Sequence, residues 1–225
     1  MSAEFGKIKT AAEALEEAYE EIFQVARPGM TAEEIDGIIV STLEKYGGEM
    51  KLMGNSPFIV REDGAPPKLR VDRVPLEKDL LWGMDSCVHV DGYWADIGRY
   101  GYFGKAPDKL KADHAKVLER QDFLAAQVMP GRPMDKIFDA CPKDMPFEIH
   151  LIATDHNMKP FCGNAVPNVL NAMAASVKQG LTYQPGQVVC VEIWAGMMGG
   201  IEDMYHVTEN GLERITTLPR EIREI

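Results

Sequence analysis

The segment from Met84 to Arg99, with the sequence MDSCVHVDGYWADIGR, is the strongest indication of the fold. An apolar run, Leu80 to Met84, ends in an acid at Asp85, and a glycine-bearing turn then leads to a second acid at Asp96. Short apolar runs separated by turn residues are typical of strands. We therefore predict two adjacent strands that each carry one carboxylate.

The same pattern returns about a hundred residues later. The strand-like run Val188–Val191 ends at Glu192, and a turn with Gly196, Gly199 and Gly200 leads to Glu202, so the acids recur at displacements of 107 and 106. Pro28-Gly29 returns at Pro130-Gly131, a displacement of 102. Three features with nearly one offset favour two related halves, about residues 7–103 and 107–217. Chance stays an alternative, because 35 acidic residues make some coincidences easy.

Helices are predicted at the start of each half. Apolar residues at spacings of three and four indicate a helix over residues 7–26, and Thr31 with Glu34 forms a capping box that begins a second helix through Tyr46. The corresponding helices of the second half are predicted over residues 107–128 and 134–141. Strands and turns are expected between residues 58 and 103 and again at residues 149–153 and 188–193.

Composition limits the classes of function. The 225 residues are 45% hydrophobic and 26% charged, which suits one globular domain spanning residues 1–225. A net charge of -11 argues against a nucleic-acid partner. Neither a long apolar run nor a signal-peptide pattern is present, so we expect a cytoplasmic protein without a membrane partner. The four cysteines, far apart in sequence, are expected to be buried free thiols.

The four acids predict a metal site. An ionised carboxylate inside a sheet is costly unless it is paired or binds a metal, and four converging carboxylates would repel one another. A pair of divalent cations removes that repulsion, and Mn, Fe, Co and Zn all accept oxygen ligands with some nitrogen. The alternative is that some of these acids are ordinary solvated residues at strand ends.

The ordered set of segments resembles the pita-bread metallopeptidases, the family of methionine aminopeptidase, prolidase and aminopeptidase P. In that family two metal-binding Asp residues stand eleven apart, with Gly-Tyr before the second and an Arg shortly after, as Asp85, Gly92-Tyr93, Asp96 and Arg99 do here. The segments 185–192, 199–203 and 207–211 are similar to its later metal segments. The resemblance implies an α+β pita-bread catalytic domain, with two pseudo-twofold-related halves, a curved antiparallel sheet and outer helices.

The resemblance also implies roles for individual residues. Asp85 would bind one metal ion, His150 and Glu192 mainly the other, and Asp96 and Glu202 would bridge the two. His156 would hold the substrate or the oxyanion, and Glu192 would share in proton handling. The family cofactor is two divalent metal ions, Mn, Co, Fe or Zn, and the substrate would be a small peptide.

Two departures from the family pattern keep a second function open. His150 and His156 stand six residues apart instead of seven, in a stretch without the usual glycines, so His150 could also be a packed or solvated histidine. The segment Ala65–Arg70 lacks the substrate-facing His that the family's peptidases carry before the first metal strand. The alternative is a divergent member that acts on a small polar metabolite by other C–N or C–S chemistry, or a non-catalytic binding protein. A homodimer is the one protein partner considered.

Overall fold

The computed structural model describes residues 3–47, 51–60, 75–140, 147–152, 161–163, 182–195 and 198–225. Its helices are α1 (Ala3–Val25), α2 (Ala32–Leu43), α3 (Asp108–Gln127) and α4 (Met134–Ala140), with a 3₁₀ turn at Glu44–Tyr46 after α2. Its strands are β1 (Lys51–Val60), β2 (Leu81–Val90), β3 (Tyr93–Tyr102), β4 (Phe147–Leu151), β5 (Phe161–Gly163), β6 (Val188–Ala195), β7 (Met198–Thr208), β8 (Gly211–Arg214) and β9 (Arg223–Glu224).

The strands of the described residues form one sheet with the order β1-β2-β3-β7-β6-β4-β5. Neighbours on this path are antiparallel, β8 adds to β7, and β9 pairs with β3 in parallel. The predicted α+β class is confirmed, and so is the antiparallel sheet with helices packed on it.

The two halves of the chain meet at the centre of the sheet. Strands β1, β2 and β3 lie on one side of the β3–β7 junction, and β7, β6 and β4 lie on the other in the mirrored order. Helix α1 packs on β2 and β3, whereas α3 packs on β6 and β7. This arrangement agrees with two related halves, while the predicted superposition by a pseudo-twofold stays a prediction.

The hairpin between β2 and β3 explains why the first two acids face each other. Val90 pairs with Tyr93, so the loop consists of Asp91 and Gly92, with φ angles of 45° and 88°. Positive φ at both central residues is the type I′ turn, whose twist matches that of the strands. Asp tolerates and Gly favours this conformation, which is why the sequence turns at this point.

The helix predictions are confirmed with shifts of a few residues at their ends. Helix α2 begins at the predicted capping box: Thr31 accepts a bond from the Glu34 amide, and the Glu34 carboxylate accepts one from the Thr31 amide. In the described part of the chain, no helix combines the length and apolar content that a membrane crossing needs.

Two details of the strand prediction were wrong. The acids do not end their strands: Asp85 lies in the middle of β2 and Glu192 in the middle of β6, because apolar residues resume at alternate positions after each acid. Gly199 and Gly200 belong to β7 and not to a turn, although Gly200 has a φ of 81°. Gly196 lies outside the described residues.

Candidate metal centre

The sheet register places the predicted acids in one row across four strands. Asp85 of β2 pairs with Gly98 of β3, Gly98 pairs with Glu202 of β7, and Glu202 pairs with Glu192 of β6. Directly paired residues present their side chains on the same face of a sheet. Asp96 stands two residues before Gly98 and therefore shares that face. The row thus crosses the junction between the halves.

Three of the carboxylates come together at this junction. Asp85, Asp96 and Glu202 each offer an oxygen, and these oxygens lie within 4.8 Å of one another. The three residues are only 8%, 7% and 1% exposed. Two like charges at this separation repel by about 3 kcal/mol at an effective dielectric constant of roughly 20. A cation between the carboxylates would replace that repulsion with attraction.

Gly98 allows β3 and β7 to approach each other at the site. A Cβ atom at position 98 would lie 1.8 Å from the carbonyl oxygen of Gly200 and 3.1 Å from the amide nitrogen of Glu202. Any side chain here would push β7 away from β3. The glycine therefore sets how closely Glu202 comes to Asp85 and Asp96.

Glu192 lies beside this cluster but is not one of its three members. It is 6% exposed and pairs with Glu202 in the register. Burial raises the pKa of Tyr100 well above its usual value, and the negative charges of Glu192 and Asp85 raise it further. The phenol of Tyr100 thus lies close enough to carboxylates from both halves for their charges to raise its pKa.

The structure describes the backbone of one of the two predicted histidines. His150 belongs to β4, where its backbone pairs with Cys190, two residues before Glu192 in β6. Its side chain and the whole of His156 lie outside what the structure describes, as does the segment Ala65–Arg70. Their predicted roles stay predictions.

Two thiols border the acids. Cys87 and Cys190 are buried and form no disulfide, as predicted, whereas the side chains of Cys141 and Cys162 lie outside the described part. Burial raises the pKa of both thiols far above the usual value, and the charges of Asp96 and Glu202 raise it further. Both cysteines are therefore neutral thiols, and the negative potential at the site comes from the carboxylates.

The opposite face of the same strands makes polar contacts that the sequence analysis did not predict, although Arg99 itself belongs to the family motif. Arg99 of β3 binds Asp203 of β7 at 2.6 Å, and both side chains are buried. Tyr19 of α1 donates to the carbonyl of Ile97 at 2.8 Å, and Gln121 of α3 donates to the carbonyl of Val191 at 2.9 Å.

A sequence signal for Tyr19 and Gln121 did exist. They stand 102 residues apart, the displacement that also relates Pro28-Gly29 to Pro130-Gly131. Each projects from the first helix of its half to a strand carbonyl beside a predicted metal ligand. The repeat offset would have matched Gln121 with Tyr19, whereas neither residue belongs to a motif of its own.

The donors at the site suit divalent metal ions. Three buried carboxylates with oxygens within 4.8 Å form an all-oxygen set, and Glu192 stands next to it. Mn, Fe, Co and Zn bind such carboxylates, with an imidazole accepted as a further ligand. The described residues therefore fit a divalent metal cofactor.

Solved structures share this fold. The chain is similar to an X-Pro aminopeptidase from Thermotoga maritima (22% identity, TM-score 0.71), covering 99% of this chain and 63% of that one. It is also similar to a prolidase from Pyrococcus horikoshii (18%, 0.73), with coverages of 99% and 64%. For an Xaa-Pro dipeptidase from Bacillus anthracis (22%, 0.73) the coverages are 100% and 63%. The chain thus spans a little less than two thirds of the length of these relatives, and at such identities the likeness shows the fold.

Sequence comparison gives the family directly. No curated protein is significantly similar to the chain. The family model of metallopeptidase family M24 matches residues 6–209, which include every predicted metal ligand, helices α2, α3 and α4 and most of α1. With the fold, the converging acids and this match in agreement, the chain belongs to metallopeptidase family M24.

Proposed function

We propose that this protein is a dinuclear metal-dependent hydrolase that cleaves an amide bond in a small peptide, in the manner of Xaa-Pro peptidases or aminopeptidases. The observation that carries the proposal is the convergence of three buried carboxylate oxygens, from Asp85, Asp96 and Glu202, within 4.8 Å. Family membership supports the reaction class, since this family is defined as a metallopeptidase family.

The proposed ligands are Asp85, Asp96, His150, Glu192 and Glu202. Asp96 and Glu202 would be shared between the two ions, because they come from β3 and β7, the strands that meet at the junction of the halves. Divalent ions held there supply Lewis-acid polarisation of a carbonyl and a water of lowered pKa. Mn, Co, Fe and Zn are the candidates.

Protein groups do the remaining work in this proposal. A carboxylate oxygen of Glu192 accepts a proton from the attacking water and passes it towards the leaving amine. His156 donates a hydrogen bond to the developing oxyanion. Asp85, Asp96 and Glu202 are buried, so water screens their charges less than it would at the surface.

A divergent function is the second candidate, and specific observations favour it. The segment Ala65–Arg70 contains no histidine, and the spacing of His150 and His156 departs from the family pattern. Loss of one positioned donor costs about 10²–10³ in rate. Such a protein would keep its ions but act on a small polar metabolite, or bind it without turnover.

Metal analysis followed by a peptide panel tests the proposal. The purified chain is dialysed against Mn, Co or Zn, its metal content is measured, and methionyl and Xaa-Pro peptides are assayed with the wild type and Glu192→Gln. We expect the wild type to bind two equivalents of metal and to turn over peptides. We expect Glu192→Gln to abolish this turnover. Metal binding without turnover of any peptide supports the divergent function. Failure of the wild type to bind any of the three metals refutes both.

A further inference from the structure

The carboxylates of the two halves meet where β3 pairs with β7, at Gly98 and Glu202, and this contact is called the seam below. In the described residues the ladder between β3 and β7 pairs Gly98 with Glu202, and Gly98 leaves no room for a side chain between the strands. Asp96 comes from one side of this seam and Glu202 from the other. The spacing of these two carboxylates therefore depends on how β3 and β7 are fixed together at Gly98.

Arg99 links β3 to β7 on the face of the sheet opposite the carboxylates. Its Nη1 atom donates to the carbonyl oxygens of Gly98 and Glu202, each at 2.7 Å, and so bridges the two strands. Its Nη2 atom donates to Asp203 Oδ1 at 2.6 Å and to the Leu218 carbonyl at 3.0 Å. The two carbonyls bridged by Nη1 are those of the paired residues at the seam, and one belongs to a proposed ligand.

The guanidinium is itself held in place. Asp203 Oδ1 also accepts a hydrogen bond of 2.6 Å from Thr216, and Arg99, Asp203 and Thr216 are 1%, 0% and 2% exposed. A planar guanidinium with several fixed acceptors has little freedom to move. A buried ion pair adds little net stability compared with apolar residues of similar size, so its value here lies in the geometry that it imposes.

We propose that Arg99 is a positioning residue for the metal centre, with Asp203 and Thr216 fixing its orientation. By holding the carbonyls of Gly98 and Glu202, it sets the spacing at which the carboxylates of Asp96 and Glu202 face each other. Metal–ligand distances tolerate only about 0.2 Å of deviation, so a small shift of β7 against β3 weakens the site. This inference rests on the proposed function, because it presumes that the acids bind metal.

The decisive variant removes the ion pair as a unit. Arg99→Met with Asp203→Leu leaves neither partner as an uncompensated buried charge, so the fold should persist. The matched control is Arg223→Met with Glu20→Leu, which removes another Arg–carboxylate pair (3.1 Å) between the C-terminal segment and α1. Arg99→Lys provides a third variant, which keeps the charge but cannot bridge two carbonyls and bind Asp203 at the same time.

Mn²⁺ binding is measured by titration calorimetry, and spin coupling between two bound ions by electron paramagnetic resonance. Unfolding in EDTA is followed for every variant. We expect the Arg99/Asp203 variant to unfold cooperatively, to bind Mn²⁺ about 10- to 100-fold more weakly, and to lose the spin-coupled signal. The control should match the wild type, and Arg99→Lys should show a smaller loss of affinity. If the double variant does not fold, Arg99→Lys decides.

The positioning role is overturned if a folded Arg99/Asp203 variant keeps wild-type affinity and spin coupling. Where Arg99→Lys is the deciding variant, the same result in that variant overturns it. An equal loss of affinity in the control also overturns it, because the effect would then be general. If the wild type does not bind Mn²⁺, the titration is repeated with Co²⁺ and Zn²⁺. Absence of binding for all three metals refutes the proposed function instead, and the two failures are thereby distinguished.

Discussion

The two faces of strands β3 and β7 handle buried charge in opposite ways. On one face the carboxylates of Asp96 and Glu202 approach each other, with Asp85 from β2 beside them. On the other face Asp203 is matched by the guanidinium of Arg99 at 2.6 Å. Glu202 and Asp203 are consecutive residues, so strand alternation alone separates the two environments. Arg99 and Asp203 thus form an internal ion pair, whereas the converging carboxylates form a set of oxygens that can bind a divalent cation.

The largest expected effect breaks the metal-binding face. Asp96→Asn removes one of the two proposed bridging charges, so at least one ion should be lost, and turnover should fall by at least about 10³. Elemental analysis and the peptide assay measure both. Asp91→Asn is the control, since Asp91 lies in the exposed turn of the same hairpin and pairs with Lys7 on the surface. Retention of two equivalents of metal by Asp96→Asn would show that Asp96 does not bridge.

The next effect breaks the structural face. Arg99→Met alone leaves Asp203 buried with only the more distant Arg220, whose Nε lies 4.0 Å from Oδ2, as a cationic neighbour. We expect a loss of about 3 kcal/mol in the free energy of unfolding. Arg99→Met with Asp203→Leu should recover most of it. Urea unfolding in EDTA measures the difference without any contribution from metal. Equal stabilities of the single and double variants would contradict the view that Asp203 depends on Arg99.

A smaller effect is expected from a substitution that alters both faces at once, because it acts on the packing between β3 and β7. Gly98→Ala places a Cβ atom 1.8 Å from the Gly200 carbonyl oxygen, so β3 and β7 must separate, at a cost of about 1–3 kcal/mol in stability and with weaker metal binding. Gly37→Ala in α2 is the control, because no atom lies within 4 Å of the new Cβ. The control should be stabilised by roughly 0.5–1 kcal/mol. A Gly98→Ala variant as stable as wild type would show that the seam is not tightly packed.

The smallest effect concerns a third way to bury an ionisable group, which is to keep it neutral. Burial lowers the pKa of His114, although the bond between its Nε2 and the Arg220 carbonyl and the charge of Glu221 oppose this. The unfolded state therefore takes up a proton below about pH 6.5 that the folded state does not, so this contribution to stability declines as the pH falls through that range.

His114→Gln keeps a donor for the Arg220 carbonyl but cannot be protonated. Between pH 7.5 and 5, the free energy of unfolding of this variant should decline less than that of the wild type. The difference between the two declines should be less than about 1.4 kcal/mol per pH unit, the value for one proton. Urea unfolding at the two pH values gives the comparison. Parallel declines in the two proteins would show that His114 does not contribute.

Much of the site could be predicted because it depends on local pattern. Asp85 and Asp96 stand on either side of an Asp-Gly turn, and the recurrence at Glu192 and Glu202 indicated a second pair of strands. The strand ends were predicted less well: β2 and β6 run through their acids, because apolar residues resume at alternate positions after each acid.

Sequence alone was enough to predict the hairpin, the capping box of α2, the family and the four candidate carboxylates, because each depends on neighbouring residues or on an ordered motif. The pairing of Gly98 with Glu202, and the hydrogen bond from Arg99 to the Glu202 carbonyl, became evident only from the folded chain. Such relations join residues more than a hundred positions apart. They arise from sheet register and close packing, which no local pattern encodes.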